Sequence, residues 1–198
     1  VPAIIEAWMC GERGGEAIAD VLYGDYNPSG RLPITFPRHV GQMPFYYNYK
    51  PAKFNRHWRA YVTYPLTPLW EFGYGLSYTE FEYSNLQISP SIIDPDDNVN
   101  IRLDVKNVGD MAGKEVVQLY IDDVISSVVT PIIELKGFRK ISLEPGEQKS
   151  VSFQLTPYDL SLLNMSMERV VEPGTFDVMV GRSCKDIRLQ GSFKVVED

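Results

Sequence analysis

Glu6 and Glu12 flank a glycine-rich turn, and two carboxylates at such a junction could act as general acid and base. The local chemistry favours a plainer role. Glu6 ends an apolar run, and Glu12 stands where a helix start attracts negative charge. The stretch Gly11-Glu12-Arg13-Gly14-Gly15 could cradle a phosphate at that helix start. Its spacing fits neither the dinucleotide fingerprint nor the P-loop, whose Lys-Ser/Thr pair is missing. Close packing of helix on sheet is the better account, and no cofactor is expected.

Arg56, His57, Trp58, Arg59 and Tyr61 form the most suggestive cluster. Trp and Tyr faces stack on the C–H surfaces of sugars, while Arg and His bond hydroxyls, so these residues suit the rim of a sugar site. They suit a domain seam or a homodimer contact as well, where aromatics and Arg are enriched, and the seam is the preferred reading. Asp94, Asp96 and Asp97 suggest calcium at first sight, but Pro95 splits them and the rest of a calcium loop is absent, which leaves a solvated turn. His39 and His57 stand apart and no Cys-x-x-Cys spacing exists, so no metal site is expected. Cys10 and Cys184 are expected to be free structural thiols. Asn164-Met165-Ser166 fits a glycosylation acceptor, a short pattern with many chance matches.

The chain of 198 residues is 44% hydrophobic and 23% charged, the composition of a soluble globular protein. Its net charge of −7, with scattered Lys and Arg, argues against nucleic-acid binding. No apolar run approaches the ~20 residues that a membrane-spanning helix needs.

Two periodicities divide the sequence. Ala3 to Trp8 is nearly continuous in apolar residues, as in a strand buried on both faces. Glu12 to Tyr23 reads as a helix that places Ala17, Ile18, Val21 and Leu22 on one face, with Gly24 as C-cap. Asn27-Pro28-Ser29-Gly30 turns the chain, and Leu32 to Phe36 reads as a second short strand. Such an incomplete α/β strand–helix–strand segment cannot bury a core alone, so the sequence is expected to begin inside a domain. Residues 46–80 are dense in Pro, Tyr and Trp and read as an ordered linker.

From Phe81 onward the period becomes two. Val99, Ile101, Leu103 and Val105 alternate with polar residues, as do Val117, Leu119 and Ile121, then Val151, Phe153 and Leu155. Phe176, Val178 and Val180 repeat the pattern, followed by Ile187, Leu189, Phe193 and Val195. Turns at Asn107-Val108-Gly109-Asp110 and Glu144-Pro145-Gly146-Glu147 separate these runs, so a mainly β antiparallel sandwich is expected. Thr156 and Pro157 mark one short helical turn as N-cap and N1.

Six motifs in order carry a resemblance. They are PAIIEAW with GERGGEAIADVLYGDYNPSGRLPITFP, then PLWEFGYGLSYTEFEY, VKNVGDMAGKEVVQLYI, ELKGFRKISLEPGE and VVEPGTFDVMVG. Together they resemble the C-terminal part of family 3 glycoside hydrolases, of β-glucosidase and β-xylosidase type, along essentially the whole chain. The resemblance implies that residues 1–45 end an α/β sandwich domain and that 81–198 form a fibronectin type III-like (Ig-like) domain. It implies retaining hydrolysis by an Asp nucleophile and a Glu acid/base, both upstream of Val1, so no catalytic residue is carried over. The implied partners are the upstream barrel and sandwich of the same enzyme and its glycoside substrate. Two departures, Cys10-Gly11 where Pro-Gly is frequent and Trp70-Glu71 where Tyr-Pro is common, bear on packing rather than chemistry.

Overall fold

The computed structural model describes residues 3–51, 65 and 67–197. The N-terminal stretch holds helix α1 (Gly14–Tyr23) and a 3₁₀ turn at Val40–Gln42. Ten strands follow: β1 (Phe81–Ser89), β2 (Ile92–Ile93), β3 (Val99–Asn107), β4 (Gly113–Asp123), β5 (Glu134–Leu143), β6 (Gln148–Leu155), β7 (Leu162–Leu163), β8 (Arg169–Val170), β9 (Gly174–Gly181) and β10 (Ile187–Val195). Helix α2 (Pro157–Leu160) lies between β6 and β7.

The period-two pattern becomes two facing sheets. One has strand order β1-β3-β6, the other β2-β10-β9-β4-β5, and β7-β8 is a small separate hairpin. Every pairing is antiparallel except the short β2–β10 contact. The inward residues of both sheets make one core. Val99, Ile101, Leu103 and Val105 of β3 face Val117 and Leu119 of β4 and Phe176, Val178 and Val180 of β9. Burying side chains of this size contributes roughly 1.5–3 kcal/mol each, which is why alternation dictates the register. Phe176 and Phe193 stack with ring centroids 5.4 Å apart.

Caps and turns form where their chemistry places them. Thr156 and Asp159 form a capping box on α2 with Pro157 in the first turn. Gly24 ends α1 with φ 85°, which glycine adopts without strain. Asn107 is fully buried and satisfied. Its Nδ2 donates to the carbonyls of Met111 and Leu143, and its Oδ1 accepts from Thr79 Oγ1 and Gly109 N–H.

The N-terminal stretch differs from its sequence pattern. No strand forms over residues 3–8, and Leu32 to Phe36 makes only an isolated bridge, Phe36 to Trp70. A strand exists through its partners, because its backbone N–H and C=O groups need a ladder. Residues 32–36 find theirs in the returning stretch 69–74 instead of in residues 3–8. Leu32 N–H donates to the Tyr74 carbonyl and Gly73 N–H to the Leu32 carbonyl, each at 2.8 Å. Helix α1 begins two residues later than the pattern suggests, and its apolar side is only partly covered, with Ile18 and Val21 half-buried. No residue of α1 is buried, and Leu22 is 64% exposed.

Candidate functional site

The sequence-derived candidates do not converge. Glu6 is exposed, and its carboxylate accepts from the Trp8 N–H at 3.2 Å, a local turn contact. Glu12 is exposed just ahead of α1. Gly14 is required by close approach, since a Cβ there would lie 2.3 Å from Cys10 Cβ. The close approach is to the turn that enters α1, and among the described residues no sheet lies against this glycine, so the expected packing of helix on sheet is not seen. Asp94 and Asp97 bond each other across a turn, Asp94 N–H to Asp97 Oδ2 at 3.2 Å and Asp97 N–H to the Asp94 carbonyl at 3.1 Å. Among the described residues no group of three or more His, Cys, Asp or Glu is placed to hold a metal ion. Cys10 is exposed and Cys184 buried, both free. Burial pushes the Cys184 thiol up to about 11. Arg56, His57, Trp58, Arg59 and Tyr61 lie outside the described residues.

The concentration of buried polar groups lies elsewhere, where the N-terminal stretch meets the larger sheet. Glu115 sits on the inward phase of β4, beside Val117, and is fully buried. Arg31, whose side chain is 6% exposed, brings Nη2 to 2.6 Å from Glu115 Oε1. Arg182, at the end of β9, places Nε 3.3 Å from Glu115 Oε2. Glu115 Oε1 also accepts from the Val116 N–H at 2.7 Å. One carboxylate therefore holds two guanidinium groups that arrive from opposite directions along the chain. Tyr83, from the facing sheet, lies close enough for the Glu115 charge to act on its phenol, and burial drives that phenol well above its ordinary range.

A second buried cluster continues the seam. Gln118 Nε2 donates to the carbonyls of Gly73 at 3.2 Å and Arg182 at 2.5 Å, while its Oε1 accepts from Tyr120 Oη at 2.5 Å. Gly73 has φ 83°, and a Cβ there would meet Gln118 Oε1 at 2.2 Å. Glycine is required at that position on both counts. Ser183 Oγ donates to Glu71 Oε1 at 2.7 Å, and Cys184 N–H to the Phe72 carbonyl at 3.2 Å. Tyr47 stacks on Phe72 at 4.2 Å and meets Tyr120 edge-on at 6.2 Å. At the other end, buried Asn27 donates to the Ala112 carbonyl and accepts from Ser77 Oγ and Tyr78 N–H.

The seam holds surfaces together: its polar side chains bond across it, Arg31 to Glu115, Gln118 to the Gly73 carbonyl and Ser183 to Glu71. Sequence reasoning passed over Glu115, Gln118, Arg31 and Arg182. A signal existed for Glu115, a polar residue on the inward phase of strand β4, which is otherwise apolar; Gln118 lies on the opposite phase and is buried against the N-terminal stretch.

Comparison with known proteins gives this seam its meaning. Residues 1–78 match the glycosyl hydrolase family 3 C-terminal domain, and residues 115–184 match the fibronectin type III-like domain. The chain belongs to glycoside hydrolase family 3. It is 45% identical to the periplasmic β-glucosidase of Salmonella typhimurium over 98% of its own length and 26% of that protein's. To a putative β-xylosidase of Formosa agariphila it is also 45% identical, over 94% of this chain and 24% of the relative. The crystal structure of a β-glucosidase from Listeria innocua in complex with glucose superimposes with a TM-score of 0.85 at 39% identity, covering 92% of this chain and 26% of that one. The family 3 chain described here thus spans about a quarter of the length of the relatives it matches. The contacts Arg31–Glu115, Gly73–Gln118, Glu71–Ser183, Phe72–Cys184 and Tyr47–Tyr120 each run from one matched region to the other.

Proposed function

We propose that this chain is the C-terminal portion of a retaining, exo-acting β-glycosidase that releases terminal β-glucosyl or β-xylosyl units. Its own contribution is structural. The nucleophile and the acid/base belong to the upstream portion, and this piece completes and braces the body that carries the acid/base. The observation that carries the reading is the buried Arg31–Glu115–Arg182 lock, which ties the family 3 C-terminal stretch to the fibronectin-like sandwich. A brace of this kind ties a loop of the N-terminal stretch to strand β4 of the sandwich.

In this reading residues 1–45 end the α/β sandwich domain, 46–80 form the linker and 81–198 the fibronectin-like domain. The open apolar side of the N-terminal stretch supports it: Ile4, Trp8, Met9, Leu22 and Tyr23 are all exposed. A run of exposed apolar residues of this size suits contact with another protein surface, and the upstream body of the same enzyme is the proposed occupant. Arg56, His57, Trp58, Arg59 and Tyr61 then contribute to the interface of the assembled enzyme or to the rim of its sugar site. The names of the relatives, β-glucosidases and a β-xylosidase, support the substrate class.

Light scattering after size-exclusion chromatography tests the assembly. The chain mixed with the separately expressed upstream portion should elute as a one-to-one complex. A chain that stays monomeric in the mixture, and binds cello-oligosaccharide by itself, would instead make it a standalone binding module.

A further inference from the structure

The Arg31–Glu115–Arg182 lock does not bond all of its own polar atoms. Glu115 Oε1 is used twice, by Arg31 Nη2 and by the Val116 N–H. Its Oε2 has Arg182 Nε beside it at 3.3 Å, an ion pair whose alignment makes no hydrogen bond. Among the described residues, Glu115 Oε2, Tyr83 Oη, Arg31 Nε, Arg31 Nη1 and Arg182 Nε are all buried and make no hydrogen bond with one another or with any other group. A buried polar atom without a partner is costly, so native proteins rarely gather several of them.

Topology explains why they gather. Strand β9 runs beside β4 only from Gln118 to Asp123, so residues 113–117 have no strand on that side. Glu115 lies in this stretch, where Arg31 arrives from the N-terminal stretch and Arg182 from just beyond the end of β9. Tyr83 comes from β1 on the facing sheet and is 8% exposed. Its phenol is acted on by the charges of Glu115, Arg31, Arg182 and Arg188, and Arg188 is already engaged by Asp186 at 2.6 Å. Tyr83, Glu115 and the two lock arginines therefore share one neighbourhood between the sheets.

The unbonded atoms select their ligand. They comprise one oxygen that can only accept, Glu115 Oε2, beside a phenol and arginine N–H groups that donate. A halide would satisfy the donors but would meet the carboxylate with like charge. A water gives one hydrogen to the carboxylate and accepts from the phenol and from an arginine N–H, which are the three bonds a buried water typically makes.

We propose that an ordered water is built into this junction, bridging Tyr83 Oη to Glu115 Oε2 and to an arginine N–H of the lock. The bridge carries the lock into the facing sheet, so that the N-terminal stretch, the larger sheet and the smaller sheet meet in one hydrogen-bonded group. It belongs to this chain alone and does not depend on the glycosidase reading.

Tyr83→Phe tests the proposal by the sign of its effect, because Phe keeps the ring in the core and removes only the hydroxyl. If the hydroxyl bonds the water, its loss strips a partner from buried charged groups, and the Tm of the full chain should fall by roughly 2–8 °C. If the hydroxyl is buried without a partner, its removal relieves a cost; a Tm that holds or rises overturns the proposal. A crystal structure of the full parent chain should show a water at roughly 2.5–3.2 Å from both Tyr83 Oη and the Glu115 carboxylate. A direct Tyr83–Glu115 bond, or a junction without that water, overturns the proposal independently of any variant. The parent Tm should also be equal in sodium chloride and in sodium gluconate at the same ionic strength, and a rise specific to chloride would put an anion at the junction in place of the water.

Discussion

Glu115→Ala removes the carboxylate between Arg31 and Arg182 and leaves the rest of β4 in place. Arg31 is 6% exposed at its side chain, so its guanidinium would stay buried without the 2.6 Å partner it now has. Arg182 is 20% exposed and recovers some water, so less is lost on that side. Breaking a buried ion pair costs about 3–5 kcal/mol, and the partial solvation of Arg182 places this case at the lower end, ~3–4 kcal/mol. For a chain of this size each kcal/mol moves Tm by about 2–4 °C, so the melt should fall by roughly 6–16 °C. Circular dichroism melts in heat and in urea measure the loss. The paired replacement Arg31→Met with Glu115→Leu exchanges the ion pair for apolar volume and should recover most of the stability, a coupling of at least about 2 kcal/mol. A loss below about 1 kcal/mol for Glu115→Ala is what an exposed pair gives, and that result, or strict additivity in the double replacement, would refute the reasoning.

Gly73→Ala should cost about 1–3 kcal/mol in the same melts, because the residue sits at φ 83° and its Cβ would strike Gln118 Oε1; an unchanged Tm would contradict the close approach. Iodoacetamide at pH 8 should label exposed Cys10 quickly and Cys184 only on unfolding, since burial lifts the Cys184 thiol to about 11. Equal labelling rates in the native chain would count against the buried placement. Residues 81–198 expressed alone should unfold cooperatively, at lower temperature than the whole chain because the seam is gone, while residues 1–45 alone should not fold. A broad, non-cooperative melt of 81–198 would sink that expectation.

The strands of the sandwich were legible because their inward positions are apolar, with Glu115 the exception in β4, and their outward positions need not be. Val99 to Val105 and Phe176 to Val180 carry that requirement in their own sequence. The cap on α2 and the C-cap at Gly24 were legible for the same reason, since Thr156, Pro157 and Gly24 act on neighbours within a few residues. Residues 3–8 misled the pattern. Their apolar run satisfies the composition of a buried strand, but a strand also needs a neighbour, and composition says nothing about pairing. The Arg31–Glu115 lock was hidden because its two halves lie 84 residues apart and each alone resembles a surface charge. Gln118 offered the same ambiguity, a polar residue whose partners, Gly73 and Arg182, come from distant turns.

The central claim is that this family 3 chain completes a glycosidase without supplying its chemistry. Hydrolysis of nitrophenyl β-glucoside and β-xyloside by the purified chain, alone and after mixing with the upstream portion, tests it most directly. The account predicts no turnover by the chain alone and activity in the mixture that is absent from either part. Turnover by the chain alone would mean that a working carboxylate pair lies within these 198 residues, and would contradict it.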